Sequence, residues 1–187
     1  MGQYYSPVIE TEDKIEAYST YLDGEFTGMK LMEHSWFKND FVNAVAYKIY
    51  LEPHKIAWVG DYADDVAEDF PNIPVNELHA VAWHNESKQK DLKSVDFTLE
   101  NKFLVNHDLK EYIDLNDYYS ENVSDEWCTH PLPLLTAIGN GQGGGDFYTH
   151  ANKEHVQDVG KWTWNTLEIT DDAPNDYKKV MYHFIEG

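Results

Sequence analysis

From Leu132 to Ile138 the chain is apolar, and the next seven residues, Gly139 to Gly145, include five glycines. Glycine takes positive φ at little steric cost and lets a ligand or another backbone come close. Ordering such a run costs more conformational entropy than ordering any other composition. A chain that keeps it therefore uses it for a tight structural fit, for a ligand, or for mobility. The segments on either side are acidic, aromatic and conventionally patterned, so they supply the frame.

That frame reads as alternating sheet and helix. Residues 3–9 form a first strand, with Pro7 pushing it toward a sheet edge. Residues 14–22 and 25–33 flank Asp23-Gly24, a dipeptide that favours a two-residue hairpin turn. Asn39 is a good helix N-cap. After it, Phe41, Val45 and Ile49 recur at helical spacing with Val42, Ala46 and Tyr50 beside them, which predicts a helix over 40–51 that stops before Pro53. Residues 55–60 are a short apolar run ending in glycine, a buried strand. Residues 75–84 suggest a short helix, 103–106 and 110–115 paired strands, 116–129 a polar connection and 133–138 another strand. His150 to Gly160 suggests a helical turn. Residues 161–170 and 177–185 then close as a last hairpin. The sum is an α+β fold: one domain over 1–187, a mostly antiparallel sheet of about eight strands, and two or three helices.

Composition narrows the function classes. Acidic residues number 34 against 14 basic ones, a formal net charge of −20, and every basic residue is a lysine. Without arginine the chain lacks the side chain best suited to bidentate phosphate contacts, and its charge opposes the counterion release that nucleic-acid binding needs. Direct nucleic-acid binding is not expected. No apolar run reaches membrane-spanning length, and the first residues show no secretory pattern. The single cysteine, Cys128, allows no internal disulfide, which favours a reducing, cytoplasmic setting.

Several residue groups could carry chemistry. Gly139-Asn140-Gly141-Gln142-Gly143-Gly144 satisfies G-x-G-x-x-G, but the residues that follow make a poor amphipathic helix, so a dinucleotide site is disfavoured. Gly139, Gly141, Gly143, Gly144, Gly145 and Phe147 remain candidates for a ligand loop, with Phe147 and Tyr148 expected as exposed flanking aromatics. Asp61, Asp64 and Asp65 follow a buried strand, where carboxylates can gather a divalent metal such as Mg²⁺ or Ca²⁺. They would equally suit an acidic helix start. His130 and His150 are the proton-transfer candidates beside them. Cys128, His130, His150 and His155 are also zinc ligands by type.

Gly2-Gln3-Tyr4-Tyr5, Lys30-Leu31-Met32-Glu33-His34-Ser35-Trp36 and Trp58-Val59-Gly60-Asp61-Tyr62-Ala63-Asp64-Asp65 appear together with His130-Pro131-Leu132-Pro133-Leu134-Leu135 and the glycine run. This combination resembles a family of small microbial proteins that begin Met-Gly-Gln-Tyr and carry a Val-Gly-Asp-Tyr-Ala element. The resemblance implies no activity and assigns no site residue.

Three functions fit these observations. The first is a non-catalytic binding module for a protein or small ligand, contacted through the glycine loop. The second is a divalent-metal-dependent hydrolase working through Asp61, Asp64 and Asp65. The third is an acidic mimic that occupies the basic groove of a nucleic-acid enzyme, which would need a continuous stripe of carboxylates.

Overall fold

The computed structural model describes residues 1–12, 14–84, 89–147 and 153–185. The sheet is built around β4, His54–Gly60, whose last five residues are buried. One edge of β4 pairs antiparallel with β1 (Tyr5–Glu10), from Tyr5↔Gly60 to Glu10↔Lys55. Its other edge is divided. β9 (Thr166–Thr170) takes His54 and Lys55, while β8 (Ala137–Ile138) runs parallel to Trp58 and Val59. Beyond β1 lie β2 (Ile15–Leu22) and β3 (Glu25–Phe26), with β5 (Lys90–Leu92) parallel to β2. Beyond β9 lie β6 (Phe103–Asn106), β7 (Glu111–Asp114) and the parallel β10 (Lys178–Lys179). The fold is α+β, as the sequence suggests, with a mostly antiparallel sheet of ten strands among the described residues.

Both faces of β4 are covered, and this explains why its sequence is a continuous apolar run rather than an alternating one. Ile56 and Trp58 join the core that includes Phe41, Val45 and Ile49 of helix α2 (Asp40–Leu51). Ala57 and Val59 face Val75, Leu78 and Ala82 of α3 (Val75–Trp83) and Ala63 of a 3-10 helix (Ala63–Asp69). Helix α2 has the bounds that the periodicity predicts. Asn39 Oδ1 accepts from the backbone N–H groups of Phe41 and Val42 at 2.9 and 3.1 Å, a cap that contributes about 1 kcal/mol. Asp23 and Gly24 both take positive φ, 51° and 86°, as a tight hairpin turn requires. No helix among the described residues is long and apolar enough to cross a membrane.

Four expected elements differ. Residues 25–33 keep strand pairing only at Glu25–Phe26, and Leu31–His34 forms the one-turn helix α1. The polar connection 116–129 begins with helix α4 (Leu115–Asn122), capped by the Asp114 carboxylate and buried through Leu115, Tyr118 and Asn122. Residues 133–138 are not one strand: Pro131–Thr136 is helix α5, and only Ala137–Ile138 is strand. Proline at the first helical position is pre-organised for a helix, and a short apolar run alone does not separate strand from helix. Finally, 161–170 and 177–185 do not pair with each other. β9 lies between β4 and β6, and β10 docks on β7. His107 fastens that last crossing, with Nε2 2.8 Å from Glu168 Oε2 and Nδ1 3.0 Å from the Tyr177 hydroxyl. The helical turn expected after His150 is α6 (Lys153–Val156).

After α4 the chain makes a two-residue hairpin in which Ser124 and Trp127 exchange backbone hydrogen bonds, both 2.8 Å. Its tip residues, Asp125 and Glu126, have φ of 48° and 69° without any glycine. A left-handed non-glycine residue costs about 1–2 kcal/mol, more than the roughly 0.5–1 kcal/mol of extra unfolded-chain freedom that glycine brings. Glu126→Gly is therefore expected to stabilise the protein by about 0.5–1 kcal/mol, read as a higher urea midpoint at unchanged slope. A lower midpoint would mean that the Glu126 side chain makes contacts worth more than the strain.

Candidate functional site

The glycine stretch closes on itself around Asp146. The Asp146 side chain accepts from the backbone N–H of Gly141 at 2.7 Å, from that of Gly143 at 2.9 Å and from the Tyr5 hydroxyl at 2.7 Å. Asn140 brackets Phe147 with two further hydrogen bonds, 2.8 and 2.9 Å. The chain's own first residues then lie along the loop: Gln3 N–H donates to Gly144 O at 2.8 Å, and Gly144 N–H to Met1 O at 2.9 Å. A Cβ on Gly143 would stand 2.6 Å from Gln3 Cβ, and one on Gly145 2.7 Å from Lys30 Cδ. The first strand's lead-in at Gly143 and the Lys30 side chain at Gly145 thus use the close approach that these glycines allow. Phe147 is fully buried, edge-on to Phe184 at 5.5 Å, which corrects the expectation of an exposed flanking aromatic. Tyr148 and His150 lie outside the described residues.

Gln3 is itself fully buried, and its amide has no hydrogen-bond partner within the protein. It lies in the gap left by Gly60 and Gly139. A Cβ on Gly60 would stand 1.9 Å from Gln3 Nε2 and 2.9 Å from the backbone oxygen of Ile138. The amide end could swing away, but the β8 carbonyl is held in the sheet.

Asp61 follows Gly60 and turns toward β1 rather than toward its acidic neighbours. Its N–H donates to Tyr4 O at 2.9 Å, and its Oδ1 accepts from Tyr4 N–H at 3.2 Å. Partial burial raises its pKa above the usual aspartate value. The Tyr4 and Asp61 N–H groups oppose that rise, and the nearby Asp146 charge adds to it. Asp64 and Asp65 are exposed in the first turn of the 3-10 helix. The histidine that meets this group is His79, buried on α3, with Nε2 3.0 Å from Asp61 O and 3.5 Å from Asp64 Oδ1. Periodicity alone does not separate it from a core residue of that helix. No group of three or more His, Cys, Asp or Glu side chains that could hold a metal exists among the described residues.

His130 caps α5. Its Nδ1 accepts from Leu132 N–H at 3.0 Å, so the proton of the neutral ring belongs on Nε2, and the ring stacks on Phe37 at 5.3 Å. Full burial pushes its pKa down to about 3. Cys128 is also buried, which moves its thiol up to about 12 and away from nucleophilic use. His155 lies 6.0 Å from the ring of His183.

A well-formed recess lies elsewhere. A cleft of about 600 Å³ opens between the start of α2 (Phe37, Asp40, Asn43), the loop at 97–100, and the start of α4 (Asn116, Tyr119). Phe37 packs against Tyr119 with centroids 5.2 Å apart, and Phe97 against Tyr47 and Tyr50 at 5.3 and 5.0 Å. Leu99 is buried and roots the loop, while Asn116 is tied to Asn101 by hydrogen bonds of 2.9 and 3.0 Å. Asn43 is different. The residue lines the cleft, while its Oδ1 is buried and accepts nothing from the protein. Comparison of the chain with protein-family models, with curated proteins and with solved structures gave no match.

Two measurements test these structural roles. Gly60→Ala is expected to cost about 2 kcal/mol, as overpacking in a rigid core does, by urea denaturation; a neutral result would mean that β8 yields. For His130 the native pKa lies below that of the unfolded chain, so the unfolded state binds the extra proton between pH 6.5 and about 3. Stability contributed by the neutral ring is thus lost as pH falls through that window. His130→Asn keeps a capping side chain and removes the titration. Its stability should fall less steeply from pH 6.5 to 4 than that of the parent, by up to about 1.4 kcal/mol per pH unit. Parallel curves would place the ring in a more polar setting.

Proposed function

We propose that the protein is a non-catalytic, intracellular binding module whose ligand is a small molecule seated in the cleft between α2, the 97–100 loop and α4. One observation carries the reading: an aromatic-walled recess of about 600 Å³ with two polar amide residues, Asn43 and Asn116, among those that line it. Ligand sites are typically concave and largely apolar, with a few placed polar groups that fix orientation. Phe37, Phe97 and Tyr119 suit a flat apolar ligand, and the Asn43 amide would supply a hydrogen bond to it. Asp40 and Glu100 against Lys38 at the rim favour a neutral or cationic ligand over an anion. In this reading the glycine loop seats the first strand and holds the scaffold rather than the ligand. The buried, high-pKa Cys128 fits a reducing compartment.

The other two readings have less beneath them. A hydrolase through Asp61, Asp64 and Asp65 draws support from the raised Asp61 pKa and from His79, but Asp61 is committed to Tyr4. For a polyanion mimic, the lysines are interleaved with the acids: Lys55 pairs with Glu10, Lys90 with Glu16, Lys102 with Asp171 and Lys179 with Asp114.

The test is a screen of small aryl amides and aryl alcohols by amide chemical-shift mapping, repeated on Asn43→Leu. Binders are expected to shift resonances of Asn43, Phe97 and Tyr119, and to weaken about tenfold in the variant through loss of one buried hydrogen bond. Binders that map elsewhere, or that ignore Asn43→Leu, would overturn the cleft reading. Thermal unfolding of chelator-stripped protein with Mg²⁺, Mn²⁺, Ca²⁺ or Zn²⁺ runs beside it. A metal shift lost in Asp61→Asn would favour the hydrolase.

A further inference from the structure

The strained hairpin after α4 displays an indole. Trp127 is 38% exposed, unusual for so large an apolar side chain, and lies 5.4 Å from the ring of Trp36. Beside it is a second recess of about 310 Å³, lined by Asn122, Ser124, Asp125, Trp127, Thr129 and Phe184, with Ile185 at its edge. No lysine lines this recess, and among the described residues no cation pairs with Asp125 or with the neighbouring Glu126.

That absence contrasts with the rest of the surface. Elsewhere the chain lays its own lysines over its tyrosines: Lys102 over Tyr50 at 4.9 Å, Lys161 over Tyr182 at 5.2 Å, Lys48 over Tyr18 at 5.8 Å and Lys30 over Tyr4 at 6.0 Å. Among the described residues no lysine covers the Trp36–Trp127 pair. An electron-rich ring beside a carboxylate is the chemistry that recognises an organic cation, and indole is the strongest such ring. The backbone agrees. The left-handed tip that carries Asp125 and Glu126 would be easier to build with glycine or asparagine, and strain of this kind persists where the strained residues have a use.

We propose that the Trp127–Asp125 recess binds a guanidinium or alkylammonium group, presented by a basic peptide segment or by a free cationic metabolite. The ring face of Trp127 covers the cation and the Asp125 carboxylate pairs with it. Glu126 and the net charge of −20 draw it in. This site lies apart from the aromatic cleft and does not depend on what that cleft holds.

The experiment titrates the whole protein at 0.15 M salt with two probes, Nα-acetyl-arginine methylamide and the peptide acetyl-Arg-Gly-Arg-amide, following the backbone amides of residues 122–129 by NMR in every variant, and the Trp127 indole N–H wherever Trp127 is present. The parent, Trp127→Leu, Asp125→Asn and a remote charge control, Asp172→Asn, are compared. Trp127→Leu and Asp125→Asn are each expected to weaken binding about fivefold, while Asp172→Asn leaves it unchanged. Asparagine suits the left-handed tip, so Asp125→Asn should remain folded even if Trp127→Leu does not. Peptide binding at least tenfold tighter than the single arginine assigns a protein segment; equal affinities assign a free cation. Equal weakening by Asp172→Asn would reduce the effect to bulk charge and overturn the site, as would unchanged binding in Asp125→Asn or no movement of the Trp127 resonance.

Discussion

The structure depends on one buried carboxylate. Asp146 is 1% exposed, and without partners its burial would be costly. It accepts from two loop amides and from the Tyr5 hydroxyl, so the glycine loop folds and is fixed to β1 by the same group. Desolvation first, then the Asp146 charge, drives the Tyr5 phenol pKa far above its ordinary value. Tyr5 therefore stays a donor throughout the usable pH range. With loop and strand joined, the residues before Tyr5 can lie along Gly143 and Gly144, and Gln3 can fill the space left by Gly60 and Gly139.

The same join sets the order of the sheet. β1 is held between β4 and β2, and β8 leads directly into the loop, so β4 meets β1 on one edge and β8 on the other through one connected network. A β4 buried on both faces leaves α2 on one side and α3 on the other. The aromatic cleft then forms at the outer end of the α2 layer, where α2, the 97–100 loop and α4 meet without filling the space between them.

Much of this frame was legible in the sequence, for reasons that can be named. Helix α2 announces both ends, Asn39 and Pro53, and keeps its period between them. Asp23-Gly24 is a turn with its mechanism written in the residues. The α5 segment failed because Leu132 to Ile138 is apolar apart from Thr136, and so short a run carries no readable period; Pro131 was the available signal. Helix α4 failed because only Leu115, Tyr118 and Asn122 face inward from a polar stretch, although Asp114 already offered a cap. The glycine run was legible as a place of close approach, but not as the seat of the chain's own first residues. That pairing of residues 1–3 with 143–144 joins segments more than 140 residues apart. The cleft was illegible for a similar reason. Asn43, Phe97 and Tyr119 look like an ordinary helix residue, a loop aromatic and a connector, and only the tertiary fold brings them together.

Both recesses lean on one short helix. Tyr119 of α4 lines the cleft, and Asn122, less than one turn later, lines the recess beside Trp127. Asn122 is buried and fully engaged, donating to Tyr118 O and Tyr182 O and accepting from Phe184 N–H at 2.7 Å. An eight-residue helix held by three inward side chains has little independent stability, so it keeps its place through these tertiary bonds. A ligand that displaced α4 from the cleft side would have to break the Asn122 bonds that shape the other recess. Energetic coupling between two sites needs a shared element whose arrangements the two ligands favour unequally. In this chain the element common to both recesses is α4, and the Asn122 amide holds it in place.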